Sequence, residues 1–480
     1  MAAGLRRCLS QFATLSGGSV MSLDYLHTLC QRYNALVLNI DDATVHIAVA
    51  GEPSNELMDA LRFSTHRHID IECWSAERLE KERQLTSDPL RPAAQDESAS
   101  VVELIDKTLQ QALQRRASDI HFEPAEAHYQ IRFRIDGVLH ALPPLPARLA
   151  SALTARLKVL GNLDIAERRL PQDGQFSIEL AGRTVSFRIS TLLCRCGEKV
   201  VLRLLQQTEQ PLEVQALGLS QAQQTLFCQA LQRPQGLILV TGPTGSGKTV
   251  TLYTALSALN DPQVNICSVE DPVEIPVTGL NQTPVLPKAG LTFQAVLRAL
   301  LRQDPDVIMI GEIRDLETAE IAVKAAQTGH LVLSTLHTNS TTETLVRLEQ
   351  MGLPRWMLAS ALELVVAQRL VRKLCPYCRV FSQEPVTLPA SLWPRPIHPY
   401  KACGCERCYG GYYGRIALFE LLSINAALRQ TIASGAPPAE IASQARAQGI
   451  TTLFEHGLQA VEAGLTTPEE LYRVSGAPHG

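Results

Sequence analysis

The chain has 480 residues, 45% hydrophobic and 19% charged, with a formal net charge of -4. That balance excludes wholesale disorder and a bulk polycation that grips nucleic acid by neutralising its phosphates. The length suggests roughly two to four domains, and no apolar run approaches the roughly 20 residues of a membrane span.

The first 20 residues carry Arg6 and Arg7 but no continuous apolar stretch behind them, so they do not read as a signal peptide. Met21 serves equally well as a start, and the protein reads as cytoplasmic. Short β-like runs at Ala35–Ile40 and Val45–Val49, mixed with helical stretches, predict a small α+β domain over residues 1–85. Thr86 to Ser100 is rich in Pro, Ser and charge and reads as a linker. From Val101 a helical pattern leads into alternating strands such as Tyr129–Ile135, a second α+β domain over residues 101–210.

Residues 211–370 alternate strands with helices. Leu237–Val240, Val264–Val269, Val307–Ile310 and Leu331–Leu336 are short apolar runs of the buried type, and Thr249–Leu259 reads as a helix. This pattern predicts a mainly parallel sheet covered on both faces. A cysteine-rich segment over residues 371–415 and a helical region over 416–480 follow.

Leu237–Val240 runs into Gly242, Pro243, Thr244, Gly245, Ser246, Gly247, Lys248 and Thr249, and a helix comes next. Strand, G-x-x-x-x-G-K-T and helix in that order define a phosphate loop: its glycines let backbone N–H groups converge on phosphates at a helix N-terminus. Lys248 is placed to reach the β- and γ-phosphates of ATP, and the Thr249 hydroxyl to hold Mg²⁺. Val307–Ile310, followed by Gly311 and Glu312, is an apolar strand ending in a carboxylate, a Walker B-like arrangement. Glu270, Asp271 and Glu274 form a third acidic group just past another strand, where carboxyl ends of parallel strands face a ligand crevice. One of them is a candidate to position or deprotonate the attacking water.

Cys375-Pro-Tyr-Cys378 and Cys405-Glu-Arg-Cys408 are two C-x-x-C pairs. Together they can complete a closed tetrahedral Zn²⁺ site, which would be structural. A redox pair or free thiols are the alternatives, and Cys403 is a spare. Scattered thiols such as Cys30, Cys228 and Cys267 read as small buried hydrophobes.

With these motifs in place, the chain from about Val101 onwards resembles the ATPases of type II secretion and type IV pilus assembly. The resemblance rests on ASDIHFEP (Ala117–Pro124), RFRIDG (Arg132–Gly137), RRLPQDG (Arg168–Gly174), SVEDPVE (Ser268–Glu274), LRQDPDVIMIGEIRD (Leu301–Asp315), GHLVLSTLHTN (Gly329–Asn339) and AQRLVRKLC (Ala367–Cys375). It implies a RecA-like P-loop core preceded by α+β domains (the second PAS-like), a zinc-binding insertion and a helical C-terminal region. It implies Glu274 as catalytic base with Glu270 beside it, and Glu312 as the Walker B glutamate. His330 and His337 correspond to the histidines that couple nucleotide state to conformation, although a lone histidine beside a strand is most often a structural hydrogen-bonder.

Members of this family are hexamers in which the preceding domain supplies arginines to the nucleotide, and Arg188 and Arg203 match those positions. Assembly and secretion members carry the tetracysteine insertion. Their N-terminal domain docks on an inner-membrane platform protein or the cytoplasmic part of a membrane adaptor, and pilin-like subunits are moved indirectly. Leu193 stands where the family has proline in its S-T-L-P-T run, and Gln175 where it has arginine, which loosens the expected coupling between domains. The expected function is ATP hydrolysis powering pilus assembly or protein secretion from the inner membrane's cytoplasmic side, with no direct nucleic acid contact. A nucleic-acid translocase on a RecA-like core, a DNA-uptake fibre motor and a non-hydrolysing scaffold are the competing readings.

Overall fold

The computed structural model describes residues 93–180, 182–205, 212–390 and 392–476, with shorter stretches between residues 30 and 79. The chain divides into two compact units, residues 1–100 and 101–480. In the first, Ala35–Ile40 (β1) pairs antiparallel with Thr44–Ala50 (β2), which pairs parallel with His68–Trp74 (β3). Val45, Ile47 and Val49 alternate inward onto Leu57 and Leu61. Cys30 is buried with them, and burial pushes its thiol up to about 11, as befits a small core residue.

The stretch expected to be linker is helical in its second half: one helix runs Ala93–Gln114. By composition, the residues from Ala93 to Glu97 are mostly good helix formers.

The second unit opens with an antiparallel sheet built from Ala117–Pro124 (β4), His128–Ile135 (β5), Val138–Ala141 (β6), Leu145–Pro146 (β7), Gln172–Leu180 (β8), Arg183–Cys194 (β9) and Gly197–Leu205 (β10). The spatial order is β6-β5-β4-β10-β9-β8, with β7 on β5. Alternation decides its two faces. Ile131, Phe133, Ile120, Phe122, Leu202 and Ile189 point into a core closed by Ile105 and Leu109 of the preceding helix and by Leu153 and Leu157 of the helix Ala150–Leu160. Arg132, Arg134, Arg203 and Arg188 lie on the opposite, polar face.

The other large sheet contains Gly236–Thr241 (β11), Ile266–Glu270 (β12), Asn281–Pro284 (β13), Val307–Ile310 (β14), Leu331–Leu336 (β15), Leu362–Leu374 (β16) and Tyr412–Ser423 (β19). Between the last two comes a small pair, Val380–Phe381 (β17) with Tyr400–Lys401 (β18). The order β13-β12-β14-β15-β11-β16-β19 is parallel except for β19, which runs antiparallel along β16. Leu237 and Leu239 of β11 enter one apolar layer and Ile238 and Val240 the other, so both faces are covered by helices.

The region expected to be helical from residue 416 starts with β19. Its run of Ile416, Ala417, Leu418, Phe419, Leu421 and Leu422 is apolar on both sides and supplies an edge strand to the sheet. Helices follow at Ala426–Ala433, Pro438–Ala447, Leu453–Glu462 and Pro468–Ser475. The cysteine segment is therefore an excursion between two adjacent strands. Among the described residues, no helix is long and apolar enough to cross a membrane.

Candidate active site and metal centre

Carboxyl ends of parallel strands share one edge of a sheet, and here the functional motifs collect on that edge. The loop Gly242–Thr249 follows β11, and the helix Lys248–Leu259 begins within it. Gly245 and Gly247 have φ of +79° and +88°, a left-handed backbone that side-chain-bearing residues avoid. A Cβ on Gly242 would come within 2.5 Å of the Gln368 carbonyl and the Ser246 hydroxyl, so the cradle closes only around glycine.

The Ser246 hydroxyl is buried and unpartnered. Lys248 is buried and donates to the carbonyls of Gly242 (2.8 Å) and Pro243 (3.1 Å). Burial pulls its ammonium down to about 8, opposed by the nearby charges of Glu312 and Glu274 and reinforced by Arg369. An orphaned hydroxyl, a glycine cradle and a desolvated cation fit a polyphosphate.

The acidic residues separate into different roles. Glu270, at the end of β12, is buried and takes three donors: the Tyr253 hydroxyl, the Ser268 hydroxyl at 2.6 Å and the Gln282 amide at 3.1 Å. Only 4% exposed, its carboxylate is held in place by those three donors. Glu274, four residues on, is exposed and close enough to Lys248 to act on its charge. Glu312 follows β14 and is mostly buried. Burial would raise its carboxyl, but Arg314 and His337, whose Nε2 lies 3.5 Å from it, outweigh that and hold it below the usual carboxylate range.

His337 thus joins the site, at the carboxyl end of β15. His330 does not: it precedes the same strand at its opposite end, where its Nδ1 lies 3.0 Å from the Ala325 carbonyl. Six residues of extended chain, about 20 Å, separate the two histidines.

Three contributors escaped the sequence reading. Gln368 of β16 accepts from the Thr251 hydroxyl at 2.7 Å and lies against Gly247. Arg369, buried beside it, donates to the carbonyl and side chain of Asn339. Arg314 pairs with Glu312. The signal for the first two was present, since polar residues inside an otherwise apolar strand need partners.

Arg188 and Arg203 face each other across β9 and β10. Arg203 donates to buried Asp119 at 2.8 Å, while Arg188 reaches Asp173 only at 3.9 Å. Both guanidinium groups are about half exposed on the polar face of their sheet.

The sulfurs of Cys375, Cys378, Cys405 and Cys408 all lie within 4.8 Å of one another, three of the separations being 3.6 to 3.8 Å. Ligands around one tetrahedral zinc ion sit about 3.8 Å apart. The four thiols fit that ion, and Cys403 lies outside the group, exposed.

The family described as Type II/IV secretion system protein matches residues 94–473. The chain belongs to that family. It is 62% identical over 460 residues to the protein transport protein HofB homolog of Escherichia coli K12, covering 96% of this chain and all of that one. It is 48% identical over 389 residues to the type IV pilus assembly ATPase PilB of Pseudomonas aeruginosa (80% of this chain, 69% of that one), and 47% over 384 residues to the type II secretion system protein E of Dickeya dadantii (79% and 76%). The crystal structure of the pilus retraction motor PilT with bound ADP superposes with a TM-score of 0.53 at 28% identity, covering 78% of this chain and 97% of that one. The secretion-family fold is RecA-like and the chain is an ATPase.

Proposed function

We propose that this ATPase is a homo-hexameric motor that hydrolyses Mg²⁺-ATP to drive type IV pilus assembly or type II protein secretion. The observation carrying this reading is the convergence of Glu274 and Glu312 on the Lys248 ammonium at one sheet edge. Lys248 and the loop amides would hold the phosphates, and Thr249 with Glu312 would hold Mg²⁺ and its waters. Glu274, exposed and not otherwise engaged, would orient and deprotonate the attacking water. Glu270 contributes from behind, as structure. Arg188 and Arg203 would approach the nucleotide of a neighbouring subunit and stabilise charge on the transferring phosphoryl group. His337, 3.5 Å from Glu312, would sense nucleotide state through it. His330 would act only at a distance.

Zinc in the four-cysteine site would be structural, since it leaves no open coordination position. The motor would work at the cytoplasmic face of the inner membrane on a platform protein and a membrane adaptor, moving pilin-like subunits indirectly. Similarity to pilus assembly and secretion proteins over nearly four-fifths of the chain or more supports these partners.

The test is steady-state ATPase activity of the purified oligomer. Lys248→Ala should lose nucleotide binding, and Glu274→Gln should bind ATP normally but turn over at least about 100-fold more slowly. Wild-type turnover in Glu274→Gln would remove that residue from the chemistry. Stimulation by DNA in place of membrane or platform protein would favour a nucleic-acid translocase.

A further inference from the structure

The loop from Asp271 to Leu280 carries Glu274 but belongs to no helix or strand, so something other than a ladder of backbone hydrogen bonds must fix it. Side chains from neighbouring elements hold it, and the one that ties it to the phosphate-loop helix next to Glu274 is a phenol. Tyr253 sits five residues after Lys248 in the phosphate-loop helix and is fully buried. Its hydroxyl donates to the Glu270 carboxylate at the end of β12. The same oxygen accepts the backbone N–H of Ile275 at 3.3 Å and lies 3.4 Å from the Gln282 side-chain amide of β13. The Gln282 amide has only two N–H groups and makes shorter bonds to Glu270 and to the Ile275 carbonyl, so the phenol's hydrogen bonds are one donated, to Glu270, and one accepted, from Ile275.

Gln282 closes the clamp from the other side. Its amide donates to the Ile275 carbonyl at 3.0 Å, and its carbonyl accepts the Val277 N–H at 2.8 Å. The residue immediately after Glu274 is thus held at both its N–H and its carbonyl, and the phenol at the centre rides on the helix that begins with Lys248. Burial and the Glu270 carboxylate together push the phenol well above its usual range, so it remains a donor at every pH the protein meets.

We propose that Tyr253 is a positioning residue for ATP hydrolysis: its hydroxyl fixes the Glu274 segment relative to the phosphate loop, with Glu270 as its partner and Gln282 holding the same segment from the other side. This rests on the reading of Glu274 as the residue that activates water. It also gives buried Glu270 a function that needs no access to the nucleotide. A displacement of the order of 1 Å between a base and its substrate costs up to about 100-fold in rate, so a single lost anchor matters without unfolding the core.

The experiment is a double-mutant cycle on the purified full chain. Tyr253→Phe keeps the ring and its packing and removes the hydroxyl. Its KM for ATP is expected within about twofold of wild type, because Lys248 and the loop amides are untouched, while kcat falls about tenfold or more. In the Glu274→Gln background the same change should have no further effect on kcat, because the group being positioned is gone.

Wild-type kcat in Tyr253→Phe overturns the proposal. So does an equal fall in kcat with and without Glu274→Gln, or a loss confined to KM. If Glu274→Gln alone is fully active, the reading of Glu274 fails first, and the two failures are distinguished. If Tyr253→Phe does not fold, as judged by thermal melting, Gln282→Leu removes the other half of the clamp. The same KM-against-kcat split is then expected, and its absence rejects the proposal.

Discussion

Arg188 and Arg203 are direct cross-strand partners, yet only Arg203 is tied to a buried carboxylate, that of Asp119. Two cations side by side repel, and the arrangement persists because Asp119, which also has Arg134 at 3.6 Å, offsets part of the charge. Among the described residues Arg188 has only exposed Asp173, at 3.9 Å, as an ionic partner, which leaves it able to turn towards an incoming anion.

Replacing either arginine by alanine should therefore lower kcat by about 100-fold or more, with little loss of stability for the exposed Arg188. If the arginines act on a neighbour's nucleotide, subunits carrying Arg203→Ala mixed with subunits carrying Lys248→Ala should regain measurable turnover. Co-purified mixed oligomers showing none at any ratio would place both arginines in their own subunit's chemistry.

The four-cysteine module supports more than itself. Tyr409, next to Cys408, packs on His140 at 5.1 Å. Arg116 lies 3.8 Å over the Tyr413 ring, and the Gly414 N–H donates to Asp136 at 2.9 Å. Cys408→Ser should lose bound zinc, lower the melting temperature and expose these contacts to proteolysis. Cys403→Ser should retain one zinc per chain by metal quantification.

Lys158 and Glu198 form an ion pair with both side chains nine-tenths buried or more, and Lys158 also donates to the Glu167 carbonyl at 2.7 Å. Removing one partner strands the other charge, so Lys158→Met should cost about 3–5 kcal/mol in denaturant unfolding. Lys158→Met combined with Glu198→Leu should recover much of that loss.

Acid should release the last helix. Burial alone would raise Glu470, but Arg473 and Arg372 outweigh it and hold the carboxyl at about 2. An unfolded glutamate titrates near 4.3, so the folded value is depressed. The contribution is fully present above about pH 4.3 and is lost as pH falls towards about 2. Glu470→Gln should destabilise the protein at pH 7, and the difference from wild type should shrink below about pH 4, measured by thermal melts across that range.

The Glu270–Glu274 pair shows where sequence reading stopped. Both stand in one motif four residues apart, and composition treats them alike. Burial by Tyr253, Ser268 and Gln282 separates them, and those partners come from a helix, the same strand and the next strand. The two histidines divide for a similar reason, because a strand of six residues carries one to the phosphate edge and the other to the far edge. The strand Tyr412–Ser423 passed for part of a helical region because a short apolar run looks alike in either structure.

Its order of motifs alone pointed to a phosphate loop, a parallel sheet beneath it and two cysteine pairs spaced to share one metal ion. These depend on local backbone geometry and ligand spacing, which a contiguous stretch of residues specifies by itself. Which of the two glutamates is buried, which histidine lies beside Glu312 and what holds the Glu274 loop were decided only by the tertiary structure. Burial and hydrogen-bond partnership are properties of residues far apart in the chain, fixed when the sheet brings them to one edge.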